Sequence, residues 1–137
     1  MNENIAWTFK GGKRPIRKDT VAGNVDTTVT VPAGKRWQLL GVTITVTTDV
    51  TVANRIMYVT IRDVVDAIKF LNNASISTAS ATDIMKYFMP CFFDTNNVFN
   101  ALGEQTMDAG EDIFIEMTNG VAGDSYDYLL EYLEIDV

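Results

Sequence analysis

The sequence predicts an all-β fold, an antiparallel β-sandwich of jelly-roll or Greek-key type with about eight to ten strands. Three observations carry this. The 137 residues include 14 Val, 16 Thr and 11 Ile, side chains that are stiff at χ1 and fit a pleated surface better than a helix. Apolar and polar residues alternate over 25–31, 40–47 and 113–117, the period of a half-buried strand. Turn residues punctuate these runs at short spacing. With 47% hydrophobic residues, one domain of this length has enough apolar surface for a single core.

Taken in order, residues 5–9 (IAWTF) read as a first strand or docking segment, followed by a glycine-punctuated basic connection through residue 24. The sandwich proper is expected over 25–137. Val25, Thr27, Val29 and Val31 alternate with Asp26, Thr28 and Thr30. A turn follows, in which Pro32 fixes φ and Gly34 is expected to take a positive φ. It delivers a long strand from Arg36 to about Thr48, with Leu40, Val42, Ile44 and Val46 on one face and Gly41, Thr43, Thr45 and Thr47 on the other. Residues 49–54 read as a loop, 55–62 (RIMYVTIR) as the next strand, 63–66 as a turn and 67–71 as a returning strand. The small, polar run 72–83 reads as a surface loop with at most an irregular edge strand. Residues 84–93 are strand-like but interrupted by Pro90, which removes a ladder donor. A turn at 94–97 leads to a strand at 98–102. Asp108-Ala109-Gly110-Glu111 then echoes Pro32-Ala33-Gly34-Lys35, each just before an alternating run, which marks the two turns as equivalent corners of a Greek-key sheet pair. After the Asn-Gly loop at 119–124, residues 125–135 (SYDYLLEYLEI) fit a helical stripe through Leu129, Leu130 and Leu133. Strand fits better, because Tyr126, Tyr128, Leu130 and Tyr132 form one alternating face.

Charge is distributed unevenly. Residues 1–36 carry +4 and residues 101–137 carry −10, with no Lys or Arg in the latter, inside a net charge of −7. The basic segment lacks the interleaved aromatics of a stacking platform, and the acidic body repels phosphates, so nucleic acid is not an expected partner. Two readings stay open for the arm: it pairs with the acidic end of its own domain, or it reaches the acidic surface of a neighbour. In the second reading Lys13, Arg14, Arg17 and Lys18 supply charge and Ile5, Trp7 and Phe9 supply apolar anchors for assembly. The N-terminal stretch has no signal-peptide core, and no run has the length of a membrane helix, so neither export nor a membrane is expected. Cys91 is alone among apolar neighbours, which excludes an intrachain disulfide and fits synthesis in a reducing cytoplasm.

Reactive constellations are sparse. Without histidine there is no Ser-His or Cys-His pair and no ordinary general base near neutral pH. One cysteine excludes a multi-thiolate metal centre. Glu104, Asp108, Glu111 and Asp112 form a sequence cluster of the residue type that hydrolyses glycosides, yet they lie around a turn, where a solvated acidic loop is the ordinary meaning. Asp124, Asp127 and Asn119 offer oxygen ligands without the spacing of a calcium loop. The sequence therefore predicts a non-enzyme with no catalytic, metal or cofactor site. Tyr126, Tyr128 and Tyr132, with Trp7 or Trp37, offer aromatic rings for a glycan-stacking face. For Trp37, directly after a tight turn, sealing the end of the sandwich is the simpler role.

The stretch TVTVPAGKRWQLLGVTITVTTDVTVANR followed by YVTIRD resembles small structural proteins of tailed bacteriophage virions. The matching positions are Pro32, Ala33, Gly34, Lys35, Arg36, Trp37, Asn54, Arg55 and Asp63, and GDSYDYLLEYLEI is similar to the closing strand of those proteins. Ala53 departs from the pattern, which has Gly before Asn-Arg. The resemblance implies a β-sandwich subunit of a phage particle: a capsid decoration (cement) protein, or a tail or neck component. It implies a homo-oligomer such as a trimer, contacts with the major capsid or other virion proteins, and a location in the virion after synthesis in the host cytoplasm. A carbohydrate-binding sandwich is the alternative.

Overall fold

The computed structural model of the chain describes residues 13–88, 98–101 and 105–137, which form ten strands. These are β1 (Lys13–Ala22), β2 (Thr27–Thr30), β3 (Lys35–Thr47), β4 (Arg55–Arg62), β5 (Ile68–Ser77), β6 (Thr82–Phe88), β7 (Val98–Ala101), β8 (Gln105–Asp108), β9 (Asp112–Thr118) and β10 (Ser125–Asp136). One sheet has the order β1-β10-β3-β6-β7, with β8 also paired to β3, and the other has the order β2-β9-β4-β5. All pairings are antiparallel except β6 with β7. The protein is an all-β sandwich. The first half of the chain runs antiparallel to the last: β1 pairs β10, β2 pairs β9, and β3 pairs β8, as in a long two-stranded ribbon rolled up on itself.

The ribbon crosses between the sheets at two pairs of corners. At one pair, β2 passes to β3 through Pro32–Lys35 while β8 passes to β9 through Asp108–Glu111. Gly34 and Gly110 both have positive φ, 75° and 86°, a region that glycine enters without a Cβ clash. The two turns touch: Val31 N–H donates to Glu111 O at 2.9 Å, and Gly110 N–H donates to Val31 O at 3.0 Å. The echo between the two four-residue turns thus reflects two corners stacked side by side.

Most elements match the sequence pattern, and three readings are corrected. Residues 72–77 are strand, since β5 continues to Ser77 and leaves only 78–81 as connection. Those polar residues extend because β4 lies inside its sheet and its second edge needs partners for its N–H and C=O groups. The second correction concerns phase along β3. Leu40 does not share a face with Val42, Ile44 and Val46; Trp37 and Leu39 do, because Leu40 is an extra residue opposite the Glu131–Tyr132 step of β10. The third is that residues 13–22, read as part of a basic connection, form strand β1. The expected closing strand is present as β10 and runs to Asp136, with Tyr126, Tyr128, Leu130 and Tyr132 all buried and facing the opposite sheet. Residues 5–9, Pro90, Cys91 and the turn at 94–97 lie outside the described residues.

The core joins Trp37, Leu39, Val42, Ile44 and Val46 of β3 and the inward face of β10 to Met57, Val59 and Ile61 of β4 and Ile113, Ile115 and Met117 of β9. Ile16, Val21 and Val29 pack at its margin.

Candidate functional site

Ion pairs of the described residues gather at the two ends of the sandwich. The Asp124 end carries the corners 23–26 and 119–124 with the connections 48–54 and 78–81. The Trp37 end carries the corners 31–34 and 109–111 with the hairpin turn 63–67.

At the Asp124 end a fully buried Arg55 begins β4 on its inward face. A guanidinium there needs charged partners, and the flanking loops supply them. Nε and Nη2 donate to Asp124 Oδ2 and Oδ1 at 2.9 and 3.0 Å, a two-pronged pair; Nη2 also reaches Asp49 Oδ1 at 3.2 Å, and Nη1 donates to Ala53 O at 2.8 Å. Burial by itself raises the Asp124 carboxyl pKa, but the backbone N–H groups of Val121 and Asp49, followed by Arg55, outweigh it and hold the group below the ordinary carboxylate range. Ala53 is tolerated where the resembled pattern has Gly because its backbone is not left-handed. The corners themselves meet through glycine: Gly23 N–H donates to Asp124 O at 2.8 Å, and a Cβ on Gly120 would lie 2.0 Å from Gly23 O.

At the Trp37 end the ring of Trp37 stacks on Tyr132, centroids 3.9 Å apart, and its Nε1–H donates to Glu134 Oε2 at 2.9 Å. The acidic cluster read from the sequence is dispersed onto bases. Asp108 pairs with Arg36 at 2.6 Å, Glu111 with Lys69 at 2.7 Å, and Asp112 takes both prongs of Arg62 at 2.7 and 2.9 Å; Glu104 lies outside the described residues. The Arg62 pKa is raised, first by its hydrogen bond to Asp112, and the guanidinium also lies 4.3 Å over the Phe114 ring. Glu111 further accepts from the backbone N–H of Asp108 at 2.7 Å, tying the corner to itself. Lys35 pairs with Asp136, and the C-terminal Val137 N–H donates to Gly34 O at 3.0 Å.

The residues expected to make assembly contacts divide. Ile5, Trp7 and Phe9 lie outside the described residues. Lys13, Arg14, Arg17 and Lys18 are in β1, in register with Leu133, Tyr132, Leu129 and Tyr128 of the acid-rich β10. Residues 13–22 of the arm therefore pair as a strand with β10 of their own domain. Pro32, Gly34 and Trp37 all stand at the Trp37 end. Tyr126, Tyr128 and Tyr132 have their rings inside the sandwich, where burial pushes the Tyr126 and Tyr128 hydroxyls above the ordinary tyrosine pKa, so they offer no outward stacking face. Tyr126 Oη instead bonds Thr27 Oγ1 and Val25 O at 2.7 and 2.8 Å. Asp124 and Asn119, weighed as calcium ligands, are engaged with Arg55 and with the carbonyl of Asn54.

Sequence reasoning missed the Arg55–Asp124–Asp49 brace. A signal was present: Arg55 has the same parity as Met57, Val59 and Ile61, and an arginine on an inward face demands carboxylates. It also passed over Val50 and Val52, which are 83% and 92% exposed, and Val64 and Val65, 67% and 76% exposed, on the loops at either end of β4.

No family model matches the chain, and no curated protein matches it. Among solved structures, a chain in the structure of infectious bursal disease virus, Gt strain, is similar over 92% of this chain and 31% of its own length, at 11% identity and a TM-score of 0.36. This chain thus spans about a third of that one, and a likeness at this level carries no argument about role.

Proposed function

We propose that the protein is a non-enzymatic structural subunit of a virus particle, a capsid decoration protein being the form that fits best. The observation that carries the reading is how the polar groups at the two ends are used. Arg55, Asp124, Glu111, Asp112 and Arg62 are bound to one another or to backbone across corners and loops, which stiffens the body and leaves no free acid–base pair among them. A rigid body with aliphatic loop tips is suited to packing against other subunits. Two further points support it. The strand order β1-β10-β3-β6 facing β2-β9-β4-β5 fits the nested order expected of a jelly roll, an architecture that recurs in capsid domains. The residues that resemble phage virion proteins, Pro32 to Trp37 and Asn54-Arg55, are those that build the two braced ends.

The test is quantitative mass spectrometry of purified particles from the virus that encodes the chain. A copy number comparable with that of the shell protein is the expected result for a decoration protein. A few copies per particle indicate a tail or neck component, and absence from the particle ends the structural reading.

A further inference from the structure

The corner between β9 and β10 is built on Asn119-Gly120, and separate structural demands fix each member of that pair. Asn119 stands at a φ of 60°, a left-handed conformation that asparagine enters more readily than most L-residues. Its exposed side chain holds the β3–β4 connection by donating from Nδ2 to Asn54 O at 3.1 Å. Gly120 is fixed by space: a Cβ there would lie 2.0 Å from Gly23 O and 3.0 Å from Met117 Sδ. The fold therefore sets at this corner the dipeptide in which a backbone nitrogen meets least hindrance in attacking the side-chain amide before it. Every other asparagine of the chain is followed by a residue that carries a side chain.

The reaction needs only water as co-reactant. The Gly120 backbone nitrogen gives up its proton and attacks Asn119 Cγ. The new C–N bond closes a five-membered imide, the Cγ–Nδ2 bond breaks, and the amide nitrogen leaves as ammonia with the proton. Water then opens the imide at either carbonyl. One product is aspartate; the other is isoaspartate, in which the main chain runs through Cβ and Cγ of residue 119. Nothing is oxidised or reduced. In the closed corner both reacting groups are engaged elsewhere: Nδ2 with Asn54 O, and Gly120 N–H with Met117 O at 3.4 Å, longer than an ordinary N–H···O bond. Asn119 is exposed and Gly120 half-buried, so releasing these two bonds is a local opening of the corner and not an unfolding of the sandwich.

We propose that Asn119 is a self-modification site, gated by the opening of its own corner, and that the product no longer closes the corner as asparagine does. Aspartate at 119 sets a carboxylate oxygen against the Asn54 carbonyl, acceptor facing acceptor, where the amide donated. Isoaspartate lengthens the main chain by one carbon next to Gly120, where there is no room for an added carbon. Either product loosens residues 119 and 120 from Asn54 and Gly23, beside the Arg55–Asp124 brace. The site belongs to the chain whether or not the chain is a virion subunit.

The experiment is incubation of the full chain at neutral and alkaline pH, folded and in guanidinium chloride, followed by peptide mass spectrometry and an assay for isoaspartate. Asn119 is expected to be the first asparagine of the folded chain to turn from amide to acid, with isoaspartate among the products. The rate should rise with hydroxide concentration, because the Gly120 nitrogen must lose its proton. The folded chain should react more slowly than the denatured one by about tenfold or more, reflecting the fraction of time that the corner is open. The modified fraction, separated by its added charge, should melt below the unmodified chain, and so should Asn119→Asp prepared directly. Asn119→Gln, whose longer side chain closes its ring far more slowly, should abolish the reaction at this position. A folded chain inert at Asn119, another asparagine reacting first, equal rates folded and denatured, or modified chain that melts with the unmodified overturns the proposal.

Discussion

Gly120 and Gly34 are both turn glycines, but they are required for different physical reasons. At Gly34 nothing lies within 4 Å of an added Cβ, and the demand is only the φ of 75°. Gly34→Ala should therefore lower stability by about 1 kcal/mol, the penalty of a left-handed L-residue. At Gly120 a Cβ would meet the Gly23 backbone at 2.0 Å, so the two corners must part; Gly120→Ala should lower it by at least about 2 kcal/mol. Denaturant unfolding of the two variants tests the order. Asp124 is the other single residue with large leverage, because Asp124→Ala leaves Arg55 buried with Asp49 as its one remaining carboxylate; a loss of about 3 kcal/mol is expected. Its pH signature has a definite sign. The folded pKa is depressed below the ordinary 3.8, so its stabilisation is fully present above that value and is lost as pH falls through the folded pKa. The melting temperature of the native chain should fall more steeply below about pH 4 than that of Asp124→Asn. Parallel curves would show that the carboxyl gains nothing from its site.

Strand β3 shows where local pattern is a faithful guide and where it fails. Val42, Ile44 and Val46 were legible by alternation, as was the shared face of Tyr126, Tyr128, Leu130 and Tyr132 on β10, and β4 was legible as a strand over 55–62. Leu40 was misread because a one-residue bulge inverts parity without any mark in the sequence: Leu39, Leu40 and Gly41 read equally well in either phase. The bulge falls where the second edge of β3 changes partner, from β8 at Arg36–Leu39 to β6 at Gly41–Thr47. Strand β5 failed for a related reason. Asn72 and Asn73 have poor intrinsic strand preference, and their conformation is imposed by the ladder of β4. Two deletions test the bulge. Without Leu40 the alternation from Trp37 and Leu39 to Val42 is unbroken, so the inward residues stay inward and stability should change by no more than about 1 kcal/mol. Without Thr43, Val42 and Ile44 become neighbours, one part of the inward set must turn outward, and the lost burial amounts to about 3 kcal/mol or more. Thermal melts of the two variants decide it; equal melting temperatures would mean that Leu40 is not the extra residue.

At the scale of the molecule, pairing order was the least legible property, because most partners are far apart in the chain and β1–β10 joins its two extremes. Only the echo of Pro32–Lys35 in Asp108–Glu111 hinted at it. The opposite charges of the two ends were visible too, and part of their meaning is the edge they build. β10 carries Leu129, Leu133 and Ile135 on its outer face over twelve residues, and as an edge it would be long, flat and half apolar. β1 covers that edge with a strand unsuited to further pairing: Pro15 lacks a donor, four of its ten residues are Lys or Arg, and the register shifts between Lys18 and Val21, where Thr20 turns to a φ of 58° and donates to Asp127. Two truncations test this role. Removal of residues 1–12 leaves β1 in place and serves as the reference. Removal of residues 1–22 bares β10, and the shortened chain should aggregate through that edge. If the longer truncation stays soluble and as stable as the shorter, β1 is dispensable and the guarded-edge account fails.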